Sequence, residues 1–311
     1  MEGILIHSII LGILATGIRL ATPFLLAALG EMFVQRSGVY NLGIEGIMLL
    51  GAFLGFFTTL HLGNPAYGIL AGICAGAMLG FLMALVSVTF KAEQGISGIG
   101  LYMFGWGLSG LLFRLYVGGI TSIKGLQPLS IPLLGDIPGL GTVFFHQNVL
   151  VYLAYVLVPV AWFVLYRTTW GLKVRAVGTK PEAADTLGES VDKVRYQCLI
   201  LGGAMAGLAG AFLTIGQANM FVDNITAGRG FIAIALVYFG RWNPWGIVAG
   251  SLLFSMADSF QSMIQVLGIK FPYELAVILP YLVTIVALAV SFGRIWAPAA
   301  LGRVYERGSR D

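Results

Sequence analysis

Arg167-Thr-Thr-Trp-Gly-Leu-Lys-Val-Arg175 opens, and Val191-Asp-Lys-Val-Arg195 closes, a polar interruption between two long apolar stretches. Segment 167–195 holds Arg167, Lys173, Arg175, Lys180, Lys193 and Arg195, six of the chain's 18 Lys and Arg. At its centre lies Thr179-Lys-Pro-Glu-Ala-Ala-Asp-Thr-Leu-Gly188. Thr179 followed by Glu182 matches a capping box, Pro181 suits a first helical turn, and Gly188 suits the stop. The spacing predicts about two turns of helix, too short to be stable alone. Ala183, Ala184 and Leu187 read as one small apolar face, with Glu182 and Asp185 polar. Such a helix needs a partner surface outside the bilayer, where another protein can push on it.

Outward from this segment the chain is apolar. Of its 311 residues 58% are hydrophobic and 10% charged, whereas a soluble domain carries about 25% charged residues. The 43 glycines suit helices that approach closely inside a bilayer. These values predict an all-α, polytopic integral membrane protein, and residues 1–311 read as a single transmembrane domain because no polar stretch is long enough to fold alone. The net charge of +4 does not point to nucleic acid, since the cations sit in short loops and the tail, as topology requires. Residues 1–18 carry no basic start ahead of their apolar run, so no cleavable signal is expected. Cys74 and Cys198 lie in apolar runs without C-x-x-C spacing and read as buried small hydrophobes.

About 20 apolar residues make a span. Candidate spans are 4–34 (one long helix, or an interfacial piece and a span), 42–60, 66–90, 96–117, 148–166, 196–217, 245–265 and 273–292. Residues 229–240 are too short. About eight crossings are expected, with broken helices hidden from hydropathy. Gln35-Arg36, Lys91, 167–195, Arg241 and the tail are all basic, while 61–65, 118–147, 218–228 and 266–272 hold only two Lys. The alternation closes with the N-terminus outside and the C-terminus in the cytoplasm. Ser37–Gly46 and Gly240–Gly246 interrupt the apolar runs in corresponding halves, which reads either as a pseudo-repeated transport path or as two simple hairpins.

No nucleophile–base constellation stands out, so no catalytic residue is assigned, and His7, His61 and His146 are too scattered to hold a metal. The P-loop signature G-x-x-x-x-G-K-[ST] is absent, so any ATP-driven process would need another chain. Ionisable residues within spans are functional candidates. Glu45, after Asn41-Leu-Gly43, either lines a path or caps a half-helix N-terminus. Glu31 and Arg36 are expected to pair, Arg114 to snorkel, and Asp258 to face protein or water. Tyr102, Phe104 and Trp106 cluster on one span, for stacking or for packing. Phe221, Asp223 and Asn224 lie in an outer link where a gate or receptor would reach them.

Arg19-Leu-Ala-Thr-Pro-Phe-Leu-Leu-Ala-Ala-Leu-Gly30 and Ser37-Gly-Val-Tyr-Asn-Leu-Gly-Ile-Glu-Gly-Ile-Met-Leu-Leu-Gly-Ala52 resemble the opening of ABC-importer permeases for nucleosides and simple sugars. Glu182-Ala-Ala-Asp-Thr-Leu-Gly188 is similar to the E-A-A-x-x-x-G coupling motif of importer permeases, and Phe239–Gly246 is similar to the same subfamily. The resemblance spans nearly the whole chain and relates it to ribose and branched-chain amino-acid permeases. It implies a bacterial inner-membrane subunit paired with a second permease, usually a longer homologue. ABC ATPase subunits would bind ATP and Mg²⁺ below, and a periplasmic or lipid-anchored binding protein would deliver substrate above. It implies further that Glu182, Ala183, Ala184, Asp185 and Gly188 dock on the ATPase and that Asn41 and Glu45 lie near the central path; the residues themselves add Leu187 to the docking face and Phe104, Trp106 and Asp258 as path candidates. Larger relatives carry an extra N-terminal span. Nucleosides are the expected cargo and simple sugars the alternative. An ion-coupled secondary transporter would instead use Glu45 and Asp258 as coupling-ion sites, and a membrane enzyme would need a clustered polar site.

Overall fold

In the computed structural model, residues 2–132, 135, 137, 139–266, 278, 282, 285, 286, 289 and 297–306 are described. Seven helices among them are long and apolar enough to cross a membrane. The expected span 273–292 and link 266–272 fall almost wholly outside the described residues.

The chain opens with α1 (Glu2–Arg36), one helix through Pro23 rather than two pieces. Helix α2 (Ile44–Leu62) ends at Gly63, whose φ of +66° takes the left-handed form that suits a residue without Cβ. Asn64 accepts a hydrogen bond from Ala66 N–H and Pro65 occupies the first turn of α3 (Pro65–Ala84), which the wider π-helical turns Leu85–Thr89 prolong. Glu93 caps α4 (Gln94–Tyr116) by accepting from Gly95 N–H at 2.9 Å and Ile96 N–H at 2.6 Å. Those two donors hold its carboxyl below the usual carboxylate range.

The following link carries a short pairing of β1 (Leu129–Ser130) with β2 (His146–Gln147), antiparallel, around α5 (Leu140–Phe144). Helix α6 (Val149–Arg167) returns to the basic segment. That segment folds as α7 (Thr169–Thr179) and α8 (Pro181–Thr186). Helix α9 (Val191–Ala211) runs on through π-helical turns Phe212–Ala218 and is the most enclosed span. Helices α10 (Arg229–Phe239) and α11 (Pro244–Val266) complete the described helices.

Glycine decides the packing of α2, α3 and α9. A Cβ on Gly207 would meet the carbonyl of Gly72 and lie 2.9 Å from Gly76 Cα, and a Cβ on Gly51 would lie 2.6 Å from Gly207 Cα. Backbones touch backbones here, and dispersion between them, rather than any hydrophobic drive, holds helices together in lipid.

The second interruption meets the end of α1, just ahead of the first. Arg36 Nη2 donates to the carbonyl of Trp242 at 2.9 Å, and Trp242 Nε1 donates to Gln35 Oε1 at 2.8 Å. Both are turns at one end of the bundle. The second bends through left-handed residues Arg241 and Trp242. Arg36 and Glu31 do not pair. Five positions apart, they sit about 140° from each other around the helix, and buried Glu31 accepts from Gln35 Nε2 and Asn41 N–H instead.

Candidate functional site

Two places gather the sequence candidates. The first is α8. Its Thr179–Glu182 capping box does not form. Thr179 ends α7, so its hydroxyl donates back to Arg175 O at 2.7 Å, and Lys180 stands at the N-cap without a side-chain bond. The stop is as the residues dictate: Gly188 has φ +87°, its N–H donates to Asp185 O at 2.9 Å, and Glu189 N–H donates to Ala184 O at 3.0 Å. This double bond pattern is a Schellman closure. The single apolar face divides in two. Pro181 and Ala184 are buried, whereas Ala183 and Leu187, four apart and hence on one side, point outward, with Leu187 84% exposed. Glu182 is exposed beside them and Asp185 half-buried. The outward surface is therefore Glu182, Ala183, Thr186 and Leu187. Residues 187–190 connect α8 directly to α9.

The second place lies around Glu45. Its side chain is buried, at 1% exposure. One carboxylate oxygen accepts from the Thr226 hydroxyl and from Gly228 N–H at 2.7 Å, and the other accepts from Gly230 N–H at 2.6 Å. The two N–H donors, Gly228 and Gly230, are among the orphan groups that open α10. The N-cap residue of α10 is Gly228, which has no side chain to accept them, so α2 supplies the acceptor. Glu45 thus caps a half-helix, although not its own. The carboxylate also meets the positive end of the helix dipole.

An aromatic shelf stands beside this clasp. Tyr102 and Trp106, four apart on α4, stack with ring centroids 6.2 Å apart and planes 4° from parallel. Phe231, one residue beyond the clasp, meets Tyr102 edge-on at 5.3 Å. The shelf lies close because α2 and α4 cross on glycines: a Cβ on Gly46 would lie 2.7 Å from Tyr102 Cα, and one on Gly105 the same distance from Gly46 Cα. Trp106 is 47% exposed and Phe231 40%. Phe104, two residues from each ring of the stack, is exposed on another side of α4.

The remaining candidates are dispersed. Asn41 is buried, and its Oδ1 accepts from Gly43 N–H at 3.0 Å, which shapes the turn into α2. Asp258 is half-buried on α11 with Arg229 as an electrostatic partner. Phe221 is fully buried among Phe53, Phe56 and Phe113, so it does not face a receptor here. Asp223 is exposed and lies 3.7 Å from Arg114 Nη2, and Asn224 is exposed in a left-handed turn. Sequence reasoning missed Thr226 and Phe231, and it missed the i, i+4 relation that singles out Tyr102 with Trp106 from Phe104.

Glu45→Gln is expected to weaken the clasp. One amide oxygen still accepts, but the NH₂ confronts N–H donors and the charge is gone. The cost is about 2–3 kcal/mol, seen as a lower thermal midpoint in detergent, with the chain still assembling and uptake altered. Unchanged uptake kinetics would reduce Glu45 to a structural role.

Residues 13–288 match the family described as branched-chain amino acid transport system / permease component. The chain is 37% identical over 305 residues to guanosine ABC transporter permease protein NupQ of Bacillus subtilis, covering 93% of this chain and 95% of the relative. It is 35% identical over 307 residues to nucleoside ABC transporter permease protein NupC of Lactococcus lactis, covering 94% and 96%. It is 41% identical over 262 residues to a Haloferax volcanii protein named "Putative glucose ABC transporter permease protein TsgC13", covering 83% and 79%. No solved structure matches it. The spans, the short helix at the basic end and these similarities converge: the chain belongs to this permease family of ABC transporters, a multi-pass membrane subunit that moves a solute and is not an enzyme.

Proposed function

We propose that this chain is one permease subunit of an ATP-driven importer for nucleosides, working by alternating access. The observation that carries the reading is α8. It is a two-turn helix with Ala183 and Leu187 turned outward, joined by four residues to the most enclosed span. ABC ATPase subunits would hold ATP and its Mg²⁺ and would press on that outward face. Displacement of α8 then moves α9, and α9 moves α2 and α3 through the glycine contacts.

The aromatic shelf favours a nucleobase. Two stacked rings and an edge-on third offer a flat ligand a π-face. A second permease chain, a longer homologue forming a heterodimer, would face the exposed side of α4 that carries Phe104. A periplasmic or lipid-anchored binding protein would approach the end that carries Asp223 and Asn224. The basic end, with α7 and α8, would lie in the cytoplasm of a bacterial inner membrane, with the N-terminus outside. The sugar reading is kept because of the relative named for glucose.

The deciding measurement is ATP-dependent accumulation of labelled guanosine and of labelled glucose in vesicles holding this chain with its ATPase, second permease and receptor. Guanosine uptake that glucose does not compete with is the expected result. The reverse pattern would establish the sugar reading. Uptake that survives ATP depletion and collapses with the ion gradient would overturn ATP coupling.

A further inference from the structure

Between α1, α5, α6 and α11 lies a cavity of about 270 Å³, lined almost wholly by apolar side chains, among them Leu25, Phe144, Val158, Trp245 and Val248. Its walls on α1, α6 and α11 belong to spans. Tyr155 and Trp245, which also line it, are exposed on the outside of the bundle. The cavity therefore opens sideways, toward lipid.

Two of its walls lead to cations. On α6, Val158, Trp162 and Tyr166 stand four apart and so share one side, with the Trp162 and Tyr166 rings 6.2 Å apart. On the other wall Trp245 follows Trp242, whose carbonyl accepts from Arg36. Arg36 Nη2 also donates to the Tyr166 hydroxyl at 3.2 Å. The guanidinium of Arg175, half-buried, sits over the Tyr166 ring at 5.3 Å, and that of exposed Arg167 over Trp162 at 5.7 Å. Among the described residues no carboxylate forms an ion pair with Arg36, Arg167 or Arg175, and Arg36 and Arg175 act on each other as like charges. Three guanidinium groups gathered on two neighbouring rings lack a counter-charge. The eight residues from Val158 to Tyr166 rise about 12 Å, and half the hydrocarbon thickness of a bilayer is about 15 Å. The cavity thus lies at the depth a lipid tail reaches when its headgroup stands at the arginines.

We infer that this groove holds one anionic phospholipid, its phosphate gripped by Arg167 and Arg175 with Arg36 behind them, and one acyl chain running along Trp162 with its end in the cavity. Charge complementarity selects the occupant. Guanidinium groups bind phosphate through paired hydrogen bonds, and a zwitterionic headgroup would bring its own cation into the same cluster. A soluble anion would leave the apolar cavity unused. The site rests on the spans and not on the transport reading, because it requires neither ATPase nor cargo.

The test is native mass spectrometry of the purified, delipidated full-length chain, titrated with phosphatidylglycerol and with phosphatidylcholine of identical tails. One phosphatidylglycerol per chain is expected, bound at least tenfold more tightly than phosphatidylcholine. Arg167→Gln combined with Arg175→Gln should erase that preference and leave phosphatidylcholine binding as it was. Arg36 is spared because it also ties the turn before α11 to α1. Val248→Phe, which fills the cavity from its wall, should weaken both lipids several-fold, and half-buried Leu252→Phe on the same wall gives the same reading if the first variant fails to fold. Equal binding of the two lipids by the parent chain, or a preference that survives loss of both arginines, would overturn the inference. Parental binding by both phenylalanine variants would take the tail out of the cavity and overturn it as well.

Discussion

Arginine at position 183 is expected to abolish uptake while the chain remains folded. Ala183 is exposed on α8, and exposed substitutions away from packed features change stability within about ±0.5 kcal/mol. A groove that receives an alanine has no room for a guanidinium on a four-bond stem. Burying that charge unpaired costs several kcal/mol, enough to release the ATPase by two or more orders of magnitude. Co-purification of the ATPase with Ala183→Arg should therefore fail and vesicle uptake should fall to background, whereas Ala183→Ser should behave as the parent chain. Normal uptake by the arginine variant would remove α8 from force transmission. A protease or labelling experiment in sealed vesicles that places α8 outside would do the same.

The second large effect concerns the fold. Gly207→Leu is expected to prevent folding outright. Its Cβ would meet the Gly72 carbonyl, Gly76 Cα at 2.9 Å and Gly76 N at 3.0 Å, with Gly51 close on another side. These neighbours are backbone of two other helices, so no rotamer change relieves them. Overpacking in a core costs about 1–3 kcal/mol where side chains yield, and here none can, against a total stability of about 5–15 kcal/mol. Gly100→Leu is the control, because a Cβ there meets nothing within 4 Å. The measurement is recovery of a monodisperse peak in detergent. A monodisperse Gly207→Leu chain would show that α2, α3 and α9 are not packed as described.

The spans were legible because the bilayer imposes length and apolarity on every helix that crosses it, and composition alone carries that constraint. The turn Gly63–Pro65 and the stop at Gly188 were legible because left-handed φ and a first-turn proline leave chemical signatures. What could not be read was contact between distant segments. Glu45 offered two roles in the sequence because nothing local says which backbone N–H groups arrive from Thr226–Gly230. Thr179 matched a capping box but was recruited by the helix before it. Phe221 sits in a polar link, and its burial depends on Phe53, Phe56 and Phe113 from two other helices. Arg195 was counted as one more topological cation, whereas it is buried and donates to the carbonyl of Arg303, about a hundred residues further on. The Ala183–Leu187 face was miscounted for a simpler reason: adjacent positions on a helix point about 100° apart, so Ala183 and Ala184 cannot share a surface equally.

The seam of bare backbone joining α2, α3 and α9 also fixes where the molecule is able to bend. Helices interlocked without side chains have no rotamers to exchange and no slack to slide through, so the three travel as one piece. Flexure is left to the irregular runs, above all 219–228, where Asn219, Asn224, Ala227 and Gly228 hold left-handed backbone. The Glu45 clasp sits between the two regimes, one end on the unyielding block and the other on the hinge.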